Sequence, residues 1–255
     1  FDSMPFLKKH FELLLVSLLI LIAVYFRFWQ IKDYVVFLGD EGRDMLVLRE
    51  IFTKGHLPFL GPSASVGGFY LGPIYYWLAA PFLLLWRFDP TGPSYMVAII
   101  GVATVLLLYK FIRDIAGLWP AIIASVLYSC APLIVRYSRS SWNPNPLPFF
   151  SLLLIYFLYL GFIKKKTIYY LFAGAAFGIA FQLHYLALIL VPISVIIIIF
   201  GREYKKIPKI FLFSIVGFLI TFSPFLLFEA KHNFPNFRTI LEFVTRGSTV
   251  GVKTS

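Results

Sequence analysis

Long apolar runs separated by short polar stretches dominate this chain. Seven hydrophobic runs approach or exceed the length that a helix needs to cross a bilayer, roughly 17–25 residues. The sixth run is too long for one helix, and its polar centre Gln182-Leu183-His184-Tyr185 predicts a turn between two shorter ones. The runs cover residues 11–29, 72–88, 93–110, 118–137, 147–163, 168–200 and 208–228.

Basic residues between the runs indicate which of them cross the membrane. Cytoplasmic loops of membrane proteins collect Lys and Arg, and an even number of crossings must separate neighbouring clusters that share one side. Three runs lie between Lys8-Lys9 and Lys110, which is an odd number, so one of them should not cross. We predict that this is run 72–88, because it contains Pro81 and ends at Arg87-Phe88-Asp89-Pro90. The clusters are Lys8-Lys9, Lys110 with Arg113, Lys164-Lys165-Lys166, and Arg202 with Lys205, Lys206 and Lys209.

The pattern therefore predicts an all-α integral membrane protein. We expect a polytopic helix bundle of about seven spans, with juxtamembrane helices in its first external loop and a cytoplasmic N-terminus. Residues 1–255 would form one transmembrane module. The predicted spans are 11–29, 93–112, 118–137, 147–163, 167–183, 186–201 and 208–228, and the predicted external loops are 30–92, 138–146 and 229–255.

The composition supports a membrane protein. Of the 255 residues, 60% are hydrophobic and 14% are charged, against about 45–50% and about 25% in soluble domains. Basic cytoplasmic loops explain the net charge of +11, so we expect no nucleic-acid partner. Cys130 is the single cysteine and lies in an apolar run, which predicts a packed side chain. A start at Phe1 and a polar end, 247–255, suggest a fragment of a longer chain.

The polar segment after the first run is the first candidate for chemistry. Asp40, Glu41 and Asp44 place three carboxylates within five residues. Charged acids beside hydrocarbon are costly, and they persist where they bind a cation, take up a proton or pair with a base. The alternative is structural: the acids begin a short amphipathic helix, 44–55, whose first turn favours negative charge.

Other polar features would lie on the same external side. The aromatic, glycine-hinged stretch 67–77 suits a sugar ring, although Tyr and Trp also concentrate at membrane interfaces. Arg136 and Arg139 indicate phosphate recognition, unless they snorkel to lipid headgroups. His184 and the segment 229–232 are further candidates, with ordinary turn or juxtamembrane roles as the alternative.

Four motifs occur in a characteristic order along the chain. They are Asp40-Glu41 after the first span, Gly55-His56-Leu57-Pro58 followed by Gly72-Pro73-Ile74-Tyr75-Tyr76-Trp77, Tyr137-Ser138-Arg139, and Ser223-Pro224-Phe225-Leu226-Leu227-Phe228-Glu229. In this order they resemble the C-type glycosyltransferase superfamily, polytopic enzymes that move a sugar from a polyprenyl-phosphate carrier to an acceptor outside the cytoplasm. Protein O-mannosyltransferases and the aminoarabinose transferases that act on lipid A are members. The resemblance covers essentially the whole chain, as the seven-helix module of such enzymes.

The resemblance implies an inverting glycosyltransferase in the cell membrane, with its active site outside the cytoplasm. It would transfer a hexose or pentose from a polyprenyl-phosphate-linked donor to a protein, lipid or glycan acceptor. Asp40 would be the catalytic base, and Arg139 would stabilise the leaving phosphate with the help of His184 or His232. The other residues expected to bind substrate are Glu41, Arg43, Asp44, His56, Tyr70, Arg136, Asn143 and Asn145.

The chain departs from the superfamily in its second external loop. Many members carry a second acid shortly after the arginine, whereas this sequence reads Trp142-Asn143-Pro144-Asn145-Pro146. A divalent metal such as Mg²⁺ or Mn²⁺ is therefore disfavoured, and Asn143 or Asn145 would bind sugar hydroxyls or phosphate instead.

Two other classes of protein compete with this interpretation. A transporter or lipid flippase would carry ionisable residues in the middle of its spans and repeated broken helices, whereas the acids here cluster outside them. A scaffold subunit of a membrane complex would not need polar external loops of this kind.

Overall fold

A computed structural model describes residues 5–64, 67–201 and 206–246, and these residues form twelve α-helices. Within these ranges the only extended pairing is an isolated antiparallel bridge between Ser63 and Tyr70. The predicted fold class, an all-α polytopic membrane bundle, is thereby confirmed. The helices are α1 (Pro5–Phe28), α2 (Ile31–Tyr34), α3 (Gly39–Lys54), α4 (Ile74–Leu85), α5 (Gly92–Ala116), α6 (Leu118–Cys130), α7 (Pro132–Tyr137), α8 (Leu147–Lys164), α9 (Ile168–Leu183), α10 (Leu190–Phe200), α11 (Ile207–Lys231) and α12 (Pro235–Arg246).

Four helices of the described chain are long and apolar enough to cross a membrane, namely Lys9–Phe28 within α1 and the whole of α5, α8 and α11. The segments 74–85, 118–130, 168–183 and 185–200 are shorter apolar helices. With 12 residues, α4 rises about 18 Å, which is less than the roughly 30 Å of a hydrocarbon core. The count of seven spans and their sidedness remain predictions.

Local chemistry breaks two of the predicted spans into shorter helices. The span predicted over 118–137 stops at Ala131, whose ψ of 118° is extended, and α7 resumes at Pro132. Proline disfavours the helical conformation of the residue before it, which explains the break at Ala131. The span predicted over 186–201 begins as a 3-10 turn, Tyr185–Ile189, before α10. The segment predicted as an external loop after the last span contains α12, and residues 247–255 lie outside the described ranges.

The chain divides into two compact units, which we describe separately: residues 1–42 with 82–152 as unit 1, and 43–81 with 153–255 as unit 2. In unit 1, α1 packs against α5 and α6. Leu19, Ala23, Val105, Tyr109 and Ala121 form the buried centre of this packing. At one end, Glu12 of α1 accepts hydrogen bonds from Tyr109 and Arg113 of α5, 2.6 Å and 2.8 Å long.

A fully buried arginine lies at the other end of the contact between α1, α5 and α6. Arg27, near the end of α1, donates to the carbonyl of Ser129 in α6, 3.4 Å away. Gly101 of α5 makes room for it, because a Cβ there would lie 2.8 Å from the arginine Nε. Arg27 thus joins α1 and α5 to the end of α6, just before the short helix that carries Arg136.

In unit 2, small residues hold α9 tightly against α11. A Cβ on Gly174 would lie 1.9 Å from the carbonyl oxygen of Ser214, and one on Gly217 would lie 1.9 Å from that of Leu171. Such close backbone approach is how membrane helices associate without a hydrophobic driving force. Side chains add hydrogen bonds to the facing backbone: Thr221 donates to Ala175 (3.2 Å), and Gln182 donates to Thr221 (2.8 Å).

We expect Gly174→Ala to destabilise the protein. Alanine favours a helix by about 1 kcal/mol over glycine, but its methyl group would press on the Ser214 carbonyl and separate the two helices. Overpacking costs about 1–3 kcal/mol, so thermal unfolding in detergent should shift downward. Gly39→Ala is the matched control, because open space surrounds that position. Equal melting of both variants would contradict close α9–α11 packing.

Candidate active site

The first turn of α3 holds Asp40 and Glu41 in different surroundings. Glu41 is buried, and its Oε2 accepts a hydrogen bond from the backbone N–H of Leu38, 2.9 Å away. This is the acidic half of a capping box, in which a side chain three residues into the helix pairs with the backbone before it. Asp40 is half-buried and lines a cavity. The structural alternative for the acidic segment therefore accounts for Glu41, while Asp40 faces the cavity.

The second predicted loop docks onto this helix start through Ser140. Its Oγ lies 3.2 Å from the carbonyl of Val36 and 3.4 Å from Oε1 of Glu41. Asn145 donates to the Ser140 carbonyl, 2.9 Å away, so this amide holds the loop in shape. Asn143 is buried in the same loop. Ser140 was not singled out from the sequence, because a serine in a polar loop carries no signal of its own.

Arg139 contacts the segment between α1 and α3 at two points. It donates to the carbonyl of Trp29, and its guanidinium lies over the ring of Tyr34, 4.7 Å from the centroid. Burial lowers the pKa of Arg139, although a guanidinium stays charged at neutral pH. Lys32 pairs with Asp89 (2.7 Å), which anchors α2 and lowers the pKa of Asp89 to about 2.

Two cavities of unit 1 share Arg136. The first, of about 240 Å³, brings together Asp40, Glu41, Arg136, Ser140 and Trp142. The second, of about 600 Å³, is lined by Arg136, Arg139 and Asp33, and its other walls are largely apolar. Cys130 is one of the wall residues and is exposed, so the prediction that its side chain is packed was wrong. Arg136 is exposed, so its charge is available to a ligand in either cavity. The sequence favoured Arg139 as the phosphate ligand, whereas Arg136 is the arginine that lines one cavity with Asp40.

In unit 2, Asp44 belongs to a buried network. Its Oδ1 accepts hydrogen bonds from Arg43 (3.0 Å and 2.9 Å) and from the hydroxyl of Tyr76 (2.8 Å). Arg43 also donates to Ser63, 3.2 Å away. Asp44 is fully buried, and this network connects α3 to the loop before α4. The arrangement is that of a structural ion pair.

The remaining predicted residues of unit 2 lie in loops or directly after helices. His56 and Tyr70 are exposed. His184 is half-buried, and its Nδ1 accepts from the backbone N–H of Leu186 (3.1 Å), so a neutral ring carries its proton on Nε2. Burial lowers the pKa of His184, which favours the neutral ring. His232 is exposed and donates from Nδ1 to the carbonyl of Phe228, 2.8 Å away.

A chain of hydrogen bonds joins α12 to the aromatic stretch 67–77. Glu229 accepts from the side chain of Asn236 (2.8 Å) and from the backbone N–H of Phe237 (3.1 Å), which caps the start of α12. Asn236 in turn accepts from the N–H of Tyr70 (2.8 Å), and the Tyr70 carbonyl accepts from the hydroxyl of Tyr185 (2.7 Å). The sequence marked Glu229 as a motif residue, but Asn236 and its role were missed because they depend on a helix that was not predicted.

The described residues contain no group of three or more His, Cys, Asp or Glu side chains placed to hold a metal ion.

Comparison with known proteins defines the class of this fold. The structure of ArnT from Cupriavidus metallidurans bound to undecaprenyl phosphate superposes with a TM-score of 0.68 at 16% identity, over 92% of this chain and 44% of that one. Residues 71–228 match the family described as dolichyl-phosphate-mannose-protein mannosyltransferase. The chain therefore belongs to that family, and the predicted membership of the C-type glycosyltransferase superfamily is confirmed.

Two relatives from Bacillus subtilis (strain 168) are similar over shorter parts of their length. The protein named Putative mannosyltransferase YycA is 26% identical over 208 residues, which cover 79% of this chain and 29% of the relative. The one named Putative mannosyltransferase YkcB is 35% identical over 85 residues, 33% of this chain and 12% of the relative. This chain thus spans less than a third of the length of these two relatives.

We expect Asp44→Ala to cost about 1–3 kcal/mol of stability, because it leaves the buried Tyr76 hydroxyl without its acceptor and removes the partner of Arg43. Tyr76→Phe should cost about 1 kcal/mol, since Asp44 keeps its arginine. Thermal unfolding in detergent would rank the two variants. Glu50→Gln, which breaks the exposed pair with Lys54, is the control and should change little. An unchanged melting temperature for Asp44→Ala would refute the structural role of this carboxylate.

Proposed function

We propose that this chain is the membrane module of an inverting glycosyltransferase. It would move a hexose or pentose from a polyprenyl-phosphate-linked donor to a protein, lipid or glycan acceptor on the extracytoplasmic side. The observation that carries the proposal is the cavity shared by Asp40 and Arg136, within a chain of this family. A base and a cation in one cavity are what a displacement at a glycosyl phosphate requires.

In the proposed reaction the acceptor hydroxyl oxygen attacks the anomeric carbon of the sugar. The bond from that carbon to the phosphate oxygen breaks, and inversion follows from the single displacement. Asp40 takes the acceptor proton, and the carrier leaves as a phosphate anion. Because this leaving group is a weak base, it needs charge stabilisation and no strong acid.

We assign the phosphate to Arg136, supported by Arg139. Arg136 is exposed at the junction of both cavities, whereas Arg139 is occupied by Trp29 and Tyr34. The apolar walls of the larger cavity suit the first isoprene units of the carrier. Glu41 would act by holding the helix start that presents Asp40. Asn143 and Asn145 would shape the loop or bind sugar hydroxyls.

The residues of unit 2 keep proposed roles in substrate binding. Tyr70 offers an exposed ring to a sugar, and His56, His184 and His232 offer imidazoles at polar helix ends. Arg43 and Asp44 would contribute through the shape of the loop before α4. We also propose a plasma-membrane location with a cytoplasmic N-terminus, based on the basic loops.

The competing transporter hypothesis is less well supported. In the four long apolar helices of the described chain, the charged residues lie near the ends, as with Arg27 of α1, Lys110 of α5, Lys164 of α8 and Lys209 of α11. A substrate pathway through the bilayer would require ionisable groups at its middle.

We expect Asp40→Asn to lower sugar transfer at least about 100-fold, because the amide cannot take the acceptor proton. The assay uses membranes that contain the full-length protein and radiolabelled polyprenyl-phosphate mannose, with label counted in protein, lipid and glycan. A polyprenyl-phosphate pentose donor is run in parallel. Glu50→Gln, an exposed acid on the same helix, is the control and should keep full activity. Full turnover by Asp40→Asn would remove this residue from the role.

We expect substitutions of Arg136 and Arg139 to have different effects on activity and stability. Arg136→Gln should reduce kcat/KM for the donor by roughly 10–100-fold, the loss of a charge-assisted hydrogen bond, with unchanged thermal stability. Arg139→Gln should lower both activity and stability, because it releases Trp29 and Tyr34. Donor titrations and melting curves on the same preparations separate these effects. The assignment to Arg136 fails if its loss leaves donor use intact.

A further inference from the structure

An apolar groove of about 430 Å³ lies in unit 2, and no residue of the proposed active site lines it. Its lining is apolar apart from Ser194 and Ser214. Both hydroxyls donate to backbone carbonyls, those of Leu190 (2.7 Å) and Tyr170 (3.2 Å). The groove is large enough for a ligand, since small-molecule sites measure about 300–1,000 Å³. With its hydroxyls already bonded, it suits a hydrocarbon chain.

The groove exists because α10 does not close onto α11. While α9 and α11 pack tightly, Val195 and Ile199 of α10 stand half-exposed on one wall. Phe211 and Ile215 of α11 form the other wall and are exposed as well. Both helices are apolar, and α11 is long and apolar enough to cross a membrane. In a bilayer, lipid chains rather than water would surround the opening.

The depth of the groove corresponds to one leaflet. Along α11 it runs from Ile207 to Phe218, about 16 Å at 1.5 Å per residue. The hydrocarbon core of a bilayer is about 30 Å thick. The groove therefore reaches from one end of the helices to near the middle of the membrane, which is the reach of one acyl chain.

The end at which the groove begins is strongly basic. Ile207 lies between Lys206 and Lys209 in sequence, and Leu158 lies on α8 less than two turns before Lys164. Between residues 153 and 228 the sequence has seven basic residues and one acid, Glu203. Four of these lysines are exposed in the described chain: Lys164, Lys165, Lys166 and Lys209. Basic clusters beside membrane helices attract anionic headgroups.

We propose that unit 2 binds an anionic phospholipid from the leaflet that the lysine-rich helix ends face. One acyl chain fills the groove between α10 and α11, and the phosphate sits among the lysines. The lipid is a structural ligand, separate from the polyprenyl carrier. The proposal stands independently of the transferase function, because it uses different residues and a different ligand.

The test uses phosphatidylglycerol with a photoreactive diazirine in its acyl chain. Full-length protein in phosphatidylcholine vesicles is irradiated with a trace of this probe, and labelled peptides are mapped by mass spectrometry. The equivalent phosphatidylcholine probe is run in parallel. We expect labels on α10 and α11, and at least about fivefold more from phosphatidylglycerol, because its net negative charge attracts the lysines, whereas the choline cation offsets the phosphate charge of phosphatidylcholine.

Two kinds of variant sharpen the result. The triple change Lys164→Gln, Lys165→Gln and Lys166→Gln alters exposed side chains and should remove most of the headgroup preference. Ser194→Phe should fill the groove and cut labelling by either probe. Ile196→Phe is its matched control, because Ile196 is on the same helix, exposed and outside the groove.

Several outcomes would overturn the proposal. Equal labelling by the two headgroups would indicate ordinary surrounding lipid. Displacement of the probe by equimolar undecaprenyl phosphate would make the groove a carrier site. No labelling of α10 and α11 in the full-length protein would mean that another part of the chain or a second copy covers the groove. Transferase activity measured on the same vesicles reports the proposed function separately.

Discussion

Backbone polar groups must find partners inside the molecule wherever hydrocarbon surrounds it, and this constraint shapes the protein. In the described chain, helices satisfy most of these groups, and irregular backbone within the apolar runs is limited to short breaks such as those at Ala131 and His184. Charged groups follow the same rule only in part. Glu12 and Arg113 pair at one end of α1 and α5. At the other end, Nη1 of buried Arg27 donates to the carbonyl of Ser129, while its Nε and Nη2 have no hydrogen-bond partner among the described residues. Chemistry is thereby left to the helix ends, where polar groups can be paired or hydrated.

The candidate site shows how such an end becomes specific. Asp40 and Glu41 are neighbours in one helical turn, yet hydrogen bonding separates their roles. Glu41 is committed to the N–H of Leu38 and to Ser140, while Asp40 lines the cavity with Arg136. The same division holds for the arginines, since Arg139 is bonded to Trp29 and Arg136 is exposed. In each pair one side chain holds the surrounding backbone, and the other lines the smaller cavity.

Packing between membrane helices depends on small residues, and it varies within unit 2. Gly174 and Gly217 bring α9 and α11 into backbone contact. The large side chains Val195, Ile199 and Phe211 line the opening between α10 and α11. An apolar side chain is solvated equally well by lipid tails and by the side chains of a neighbouring helix. Hydrophobicity alone therefore favours neither the tight α9–α11 contact nor the open groove. Tight contact and an open groove can therefore occur side by side in one bundle.

The sequence alone determined the class of the protein, because repeated apolar runs of spanning length with so few charges bury their side chains only when lipid surrounds them. It also identified Asp40, Arg136 and Arg139 as candidates, through acids and arginines placed beside predicted spans, and the family through the order of its motifs. Tertiary structure decided the hydrogen bonds between residues that are distant in sequence. These join Ser140 to Glu41, Tyr76 to Asp44, and Asn236 to both Tyr70 and Glu229. Hydrophobic periodicity reports which residues avoid water. It cannot report which polar atom meets which, because those pairings form only when segments far apart in the chain fold together.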